Sequence, residues 1–295
     1  MRALTVSFAL LVVGCSAPSN PDAGVEPCTP RAGTLTSFGG ARPVRLQAPD
    51  GGLECSYPLV IVLHGYGVGG PVQAAYLGLE TLVDGRHALL AAPDGTVDDA
   101  GYRFWNTGNA SCCDFFGHAP DDVGYVRQLI HDIRADWPVD PQRIMLVGHS
   151  NGGFFAHRLA CELEEVTHVV SLAGTEDTAS PRPCARGPVR VLQIHGRQDE
   201  TVFYDGGSKL LAYSADYVGA EEMTSRWAAR NGCAAARDGG SLDLESTLPG
   251  SETTVRAYDG CRDGGDVTLW TIEGGSHVPS VGNRLPAALT RWGGL

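Results

Sequence analysis

The chain has 295 residues, 43% of them hydrophobic and 19% charged, with a formal net charge of −12. That length suits one large α/β domain or two small ones, and the composition is that of a globular protein. The acidic balance argues against a phosphate backbone as partner, so no nucleic acid is expected.

The first fourteen residues read as an export signal. Met1-Arg2 is a short basic start, and the apolar run from Ala3 to Gly14 is too short to span a bilayer. It ends Val12-Val13-Gly14-Cys15, which resembles a bacterial lipobox. That resemblance implies acylation of Cys15 and a membrane-anchored lipoprotein of the cell envelope, with a secreted protein as the other outcome. Residues 15–34 are rich in Pro, Ala, Gly and Ser and read as a flexible tether, so the folded domain is expected over 35–295. Nine cysteines suit an oxidising compartment. Without Cys15 an even set remains, whose connectivity the sequence leaves open. Their spacings form no zinc pattern, and neither metal nor cofactor is expected.

Weak strands are expected over 35–49. Tyr57–Leu63 is a continuous apolar, β-branched run, the pattern of a strand buried on both faces of a parallel sheet. Similar runs follow at 88–92, 144–147, 168–172, 189–194 and 267–272. Between them, Asp121-Asp122 precedes apolar residues Val123, Val126, Ile130, Ile133 and Trp137 at helical steps, closed by Pro138. A second helix is expected between 214 and 230, with Glu221 and Glu222 ahead of Arg226 and Arg230, and Gly232 to end it. Strand–helix alternation throughout predicts a mostly parallel, doubly wound α/β sheet in a single domain.

The run ending at Val147 enters Gly148-His149-Ser150-Asn151-Gly152, and a helix-like run follows. Strand, G-x-S-x-G, helix is the nucleophile-elbow pattern: the serine stands on a sharp turn and flanking glycines let strand and helix approach. Serine needs a base, and the base needs an orienting acid. In chain order, Asp199 follows the strand ending at His195, and His277 is the only histidine after it. Ser150, Asp199 and His277 are therefore the candidate triad, with Glu176 and Asp177 as rival acids. His195 and His149 read as structural. The oxyanion donors are expected to be the N–H groups of Asn151 and, in His64-Gly65-Tyr66-Gly67, of Tyr66. Phe104 and Trp105 lie on a loop with Phe115 and Phe116, and are candidates to line the substrate, or else to pack the loop.

Several stretches together resemble secreted serine esterases related to feruloyl esterases and poly(3-hydroxybutyrate) depolymerases. They are Leu63-His64-Gly65, Trp105-Asn106 with Cys112-Cys113, Asp121-Asp122-Val123-Gly124, Gly148 through Gly153, His195-Gly196 through Asp199, and Trp270 through His277. The resemblance implies a cofactor-free α/β-hydrolase fold, the Ser150–Asp199–His277 roles, and bridges Cys161–Cys184 and Cys233–Cys261. It leaves Cys112 and Cys113 either joined to each other or paired elsewhere. Tyr66-Gly67-Val68-Gly69-Gly70 stands where relatives often carry a small residue and a glutamine-containing loop, and Val278-Pro279 stands where they often carry Trp-Pro. The mouth of the acyl site is therefore expected to differ. With a short interval between 175 and 189 and no large lid, the expected reaction is hydrolysis of feruloyl or acetyl esters on plant polysaccharides. Poly(3-hydroxybutyrate) depolymerisation is the alternative, with a serine peptidase or a catalytically silent surface binder as readings of other classes.

Overall fold

The apolar runs become strands of one ten-stranded sheet in the computed structural model, which describes residues 33–294 except 51–54, 87, 109–111, 179–183, 185–186 and 211–212. The signal segment 1–14, Cys15 and most of the tether lie outside the described residues. In chain order the elements begin with β1 (Ser37–Phe38), β2 (Val44–Gln47), β3 (Tyr57–Leu63), α1 (Gly70–Tyr76), α2 (Thr81–Arg86) and β4 (Leu89–Ala91). A small hairpin, β5 (Thr96–Val97) with β6 (Arg103–Phe104), leads to α3 (Asp122–Asp136), β7 (Val139–His149), α4 (Asn151–Glu162), β8 (His168–Leu172) and β9 (Arg190–Gly196). A second hairpin, β10 (Gly206–Leu210) with β11 (Tyr213–Val218), precedes α5 (Ala220–Asn231), β12 (Ala236–Leu242), β13 (Thr253–Tyr258), β14 (Val267–Ile272) and α6 (Leu285–Gly293).

The sheet order is β1-β2-β4-β3-β7-β8-β9-β14-β13-β12. The six strands from β4 to β14 pair in parallel, while β1 and β2 at one edge and β12 and β13 at the other are antiparallel. Successive side chains of a strand point to opposite faces, and both faces here are covered. Leu59, Ile61 and Leu63 of β3 join the core under α3, α4 and α5, with Val126, Ile130, Phe155 and Trp227. Val60 and Val62 join the core on the other face, with Ala74 of α1, Leu82 of α2 and Leu289 of α6. Two-sided burial is why these runs show no polar alternation.

Helix α3 starts where Asp121 accepts a hydrogen bond from the Gly124 N–H at 2.8 Å, and it buries Val123, Val126, Leu129, Ile130 and Ile133. The helix expected between 214 and 230 is shorter than that span. Residues 213–218 form β11 against β10, Gly219 is extended, and the helix begins at Ala220. Its end is as expected: Gly232 takes a left-handed φ of 69°.

Candidate active site

Ser150 sits between the end of β7 and the start of α4 with φ 53° and ψ −120°, a conformation L-residues rarely adopt. Leu172 C=O accepts from the Ser150 N–H at 2.8 Å, and the Ser150 carbonyl accepts the first helical N–H groups from Gly153 and Phe154. The glycines on either side are required. A side chain on Gly148 would collide with the Gly152 backbone, and one on Gly152 with the Leu63 carbonyl.

Asp199 and His277 leave the carboxyl ends of β9 and β14, adjacent parallel strands of the same sheet. His277 Nδ1 meets Asp199 Oδ2 at 2.8 Å. The other carboxylate oxygen, Oδ1, accepts from the main-chain N–H groups of Thr201 and Val202 at 2.8 and 2.9 Å. Burial alone would raise the Asp199 pKa, but hydrogen bonds from His195 and His277 outweigh it and hold the carboxyl well below its usual range. Asp199 is thus an ion that only accepts, which places the Nδ1 proton on His277 and leaves Nε2 as the basic atom. The rival acids are engaged elsewhere. Glu176 makes a bidentate pair with Arg230 at 2.7 and 2.9 Å, and Asp177 forms a backbone bridge with Tyr217.

His149 ties the histidine loop to the elbow. Its Nε2 lies 2.9 Å from the His277 carbonyl, so that nitrogen carries the proton, and the two rings are 5.1 Å apart. Burial, reinforced by the neighbouring His277, lowers the His149 pKa to about 4 and keeps the ring neutral. Tyr76 of α1 holds the same loop through its hydroxyl, which donates to the Pro279 carbonyl at 2.7 Å. His149, structural by its place inside the elbow, carries a motif; Tyr76 has none around it to mark its role.

The expected oxyanion loop packs against the elbow serine: a Cβ built on Gly65 would stand 3.5 Å from Ser150 Cβ. Its peptide plane is set by His64. Gly95 N–H donates to His64 Nε2 at 2.8 Å, which places the ring proton on Nδ1, 2.8 Å from the Gly65 carbonyl. In a trans peptide the C=O and the following N–H point oppositely. Holding the Gly65 carbonyl back on His64 therefore aims the Tyr66 N–H the other way. Burial lowers the His64 pKa to about 4, so this arrangement persists at neutral pH.

Phe104 and Trp105 do not line an open site. Both are fully buried. Trp105 stacks on Phe155 with centroids 5.2 Å apart and belongs to the main core. Phe104 packs in a smaller cluster with Cys112, Cys113, Phe154, Val202, Leu210 and Tyr217. The aromatic rings that reach solvent are their neighbours. Tyr102 and Phe116 are exposed, and Tyr66 lies between Tyr102 at 5.5 Å and Phe115 at 5.2 Å.

Cysteines are joined as Cys161–Cys184, Cys233–Cys261 and Cys112–Cys113. Cys55 is also disulfide-bonded. Among the described residues no group of histidine, cysteine and carboxylate side chains is arranged to hold a metal ion.

A mostly parallel sheet with a strand–serine–helix elbow, and an acid and a histidine on the following strand ends, defines the α/β-hydrolase class. The comparisons agree. An acetyl xylan esterase structure from Aspergillus awamori superposes with a TM-score of 0.61 over 89% of this chain and 99% of that one, at 13% identity. Feruloyl esterase B of Piromyces equi is 29% identical over 203 residues, 66% of this chain and 34% of that protein. A protein described as a probable feruloyl esterase C of Aspergillus flavus is 28% identical over 232 residues, 74% of this chain and 75% of that protein. The chain therefore spans about a third of the length of the first relative and three quarters of the second. No protein-family model matches the chain. The chain has the α/β-hydrolase fold, and the proteins it is similar to are esterases.

Proposed function

We propose that this chain is an exported serine esterase that hydrolyses feruloyl or acetyl esters carried on plant polysaccharides. The observation that carries the reading is the 2.8 Å contact between His277 Nδ1 and Asp199 Oδ2, beside an elbow serine at φ 53°. In the proposed reaction, His277 Nε2 takes the proton of Ser150 as Oγ attacks the ester carbonyl, and the N–H groups of Tyr66 and Asn151 hold the oxyanion. The protonated His277 then gives its proton to the departing alcohol. Water, deprotonated by the same nitrogen, releases the acid and restores Ser150. The polymer-borne substrate is supported by the names of the relatives and by the Tyr66–Tyr102–Phe115 wall beside the oxyanion loop, a surface suited to a flat aromatic acyl group.

Export is supported by the cross-linked cysteines, which persist in an oxidising compartment. The lipid anchor at Cys15 belongs to the same proposal: labelled palmitate incorporated by the wild type and lost in Cys15→Ala supports it, and equal labelling removes it.

The test of the reaction is product release by the protein from Cys28 onward. Methyl ferulate, acetylated xylan and poly(3-hydroxybutyrate) are offered in parallel, with Ser150→Ala as control. Ferulate or acetate released by the wild type alone supports the proposal. Hydroxybutyrate as the sole product replaces it with the depolymerase reading. A wild type that neither turns over these esters nor reacts with a fluorophosphonate at Ser150 is a silent binder.

A further inference from the structure

Behind Asp199 runs a buried chain of polar side chains that the acyl-transfer steps do not use. The Trp227 indole N–H donates to His157 Nδ1 at 3.0 Å. His157 Nε2 lies 3.2 Å from Gln193 Oε1. Gln193 Nε2 donates to the Gly174 carbonyl at 2.8 Å and lies 3.2 Å from His195 Nδ1. His195 Nε2 lies 2.8 Å from the Val202 carbonyl and 3.3 Å from Asp199 Oδ2. Trp227, His157, Gln193, His195 and Asp199 are all less than 5% exposed.

The donor roles in this chain admit one solution. An indole N–H only donates, so His157 Nδ1 accepts and its Nε2 carries the proton. That proton requires the Gln193 oxygen, and the Gly174 carbonyl independently requires the Gln193 amide nitrogen at the other side. The amide then presents N–H to His195 Nδ1, which accepts, so His195 Nε2 carries a proton. The Val202 carbonyl demands the same tautomer from the far end. Burial lowers the His157 pKa to about 4, so the ring stays neutral and the pattern is not scrambled by protonation.

We propose that His195 is a positioning residue for Asp199, locked in one tautomer by the Trp227–His157–Gln193 chain so that it always turns an N–H toward the carboxylate. Oδ2 of Asp199 then receives the His277 N–H at 2.8 Å and shares the His195 N–H, at 3.3 Å, with the nearer Val202 carbonyl. The His195 N–H moderates the pull of the carboxylate on the His277 proton. The inference rests on the reading of Ser150, Asp199 and His277 as the reacting triad. Other titratable or charged groups face this cluster. His149 lies against His277 and Tyr76 lies beyond it. Tyr204 packs edge-on against His195 under Arg197, and the charge of Asp199 is felt at Tyr217. Glu176 and Arg230 act on His157 from the far end. None of these is altered in the variants below.

The experiment compares His195→Asn and His195→Gln in the full chain, with p-nitrophenyl acetate as a small probe ester and a fluorophosphonate label for Ser150. Glutamine places an amide nitrogen near the position of Nε2, while asparagine falls short of it. In His195→Asn the second donor is lost, Asp199 pulls harder on the His277 proton, and the acid limb of kcat/KM moves up by about one pH unit. Its kcat falls about tenfold with KM nearly unchanged, as expected when one hydrogen bond to a charged group is removed. His195→Gln restores the limb and most of kcat. Trp227→Phe, which removes the far donor together with part of the buried ring, moves the limb the same way by a smaller amount. Equal behaviour of the Asn and Gln variants, or an acid limb that stays in place in His195→Asn, overturns the proposal. Failure of the wild type to label at Ser150 instead overturns the triad reading beneath it.

Discussion

Asn151 clasps the main chain of Trp105: the Trp105 N–H donates to Asn151 Oδ1 at 2.7 Å, and Asn151 Nδ2 donates to the Trp105 carbonyl at 2.9 Å. The residue after the elbow serine thus has two tasks. Its main chain opens α4 and is the proposed oxyanion donor, while its side chain pins the residue just past the β5–β6 hairpin. Asn151 Nδ2 also reaches Cys112 Sγ at 3.5 Å, so the Cys112–Cys113 loop is drawn to the same point. Asn151→Ala keeps the backbone N–H and leaves two buried backbone groups of Trp105 without partners. That costs about 2–4 kcal/mol, a fall of roughly 5–10 °C in Tm for a domain of this size. Calorimetry of the two proteins checks it; a Tm within about 1 °C of wild type would show that water takes over both contacts.

Ser150→Ala tests the elbow directly. The variant retains Gly148, Gly152 and the backbone of the turn, so Tm changes little. If Ser150 Oγ is the attacking atom, kcat falls by about 10⁴-fold or more and fluorophosphonate labelling disappears. Turnover near the wild-type value in the purified variant eliminates the assignment.

How much of this was legible in the chain follows from where each signal lies. Tyr57–Leu63, His168–Leu172 and Val267–Ile272 read as strands with the observed bounds because both of their faces are buried, which makes hydrophobicity continuous. Ala236–Leu242 was not legible: its sequence is Ala-Arg-Asp-Gly-Gly-Ser-Leu, it is exposed along most of its length, and its pairing with β13 makes it a strand. The order Ser150, Asp199, His277 was readable because each follows a strong strand, and parallel strands deliver their carboxyl ends to one edge. The supports of the site were not. Tyr76, Gln193, His157 and Trp227 reach it across long sequence separations, from helix faces and a strand interior that look like ordinary core. Trp105 shows the same limit from the other side. An aromatic beside a polar loop reads alike whether it faces solvent or, as here, stacks on Phe155 inside the core.

Tyr66 couples the proposed oxyanion loop to the hairpin beside it. Its hydroxyl donates to Asp98 Oδ2 at 2.5 Å, and the other Asp98 oxygen accepts from the Ala100 and Tyr102 N–H groups at 2.9 Å. Burial pushes the Asp98 pKa up, but the Tyr66 hydroxyl and these amides prevail and hold it below its usual range. Tyr66→Phe keeps the ring against Tyr102 and Phe115 and removes only the hydroxyl. Its expected cost is about 1.5–3 kcal/mol of stability, with kcat lowered less than about tenfold. Tyr66→Ala removes the wall as well, and KM for methyl ferulate then rises about tenfold while KM for p-nitrophenyl acetate moves far less. A parallel rise in both KM values would show that the ring is not what receives the aromatic acid.

Asp199→Asn separates charge from shape. The Oδ1 side of the group faces two main-chain N–H donors, from Thr201 and Val202, so the asparagine oxygen settles there. Its NH₂ then faces the ring nitrogens that formerly donated to Oδ2. His277 answers by accepting at Nδ1, which moves its proton to Nε2 and removes the base. The expected fall in kcat is about 10³–10⁴-fold with the label at Ser150 slowed in proportion. The stability change has a definite sign. The folded carboxyl is held below its ordinary value, so between the folded pKa and the unfolded value of about 3.9 the unfolded chain binds more protons. This contribution is fully present above the unfolded pKa and is lost as pH falls toward the folded one. Wild-type Tm should therefore drop more steeply below about pH 4 than that of Asp199→Asn, which has nothing to titrate there. Tm curves for the two proteins that run parallel through the acid range would mean that Asp199 is not held as an ion by His195 and His277.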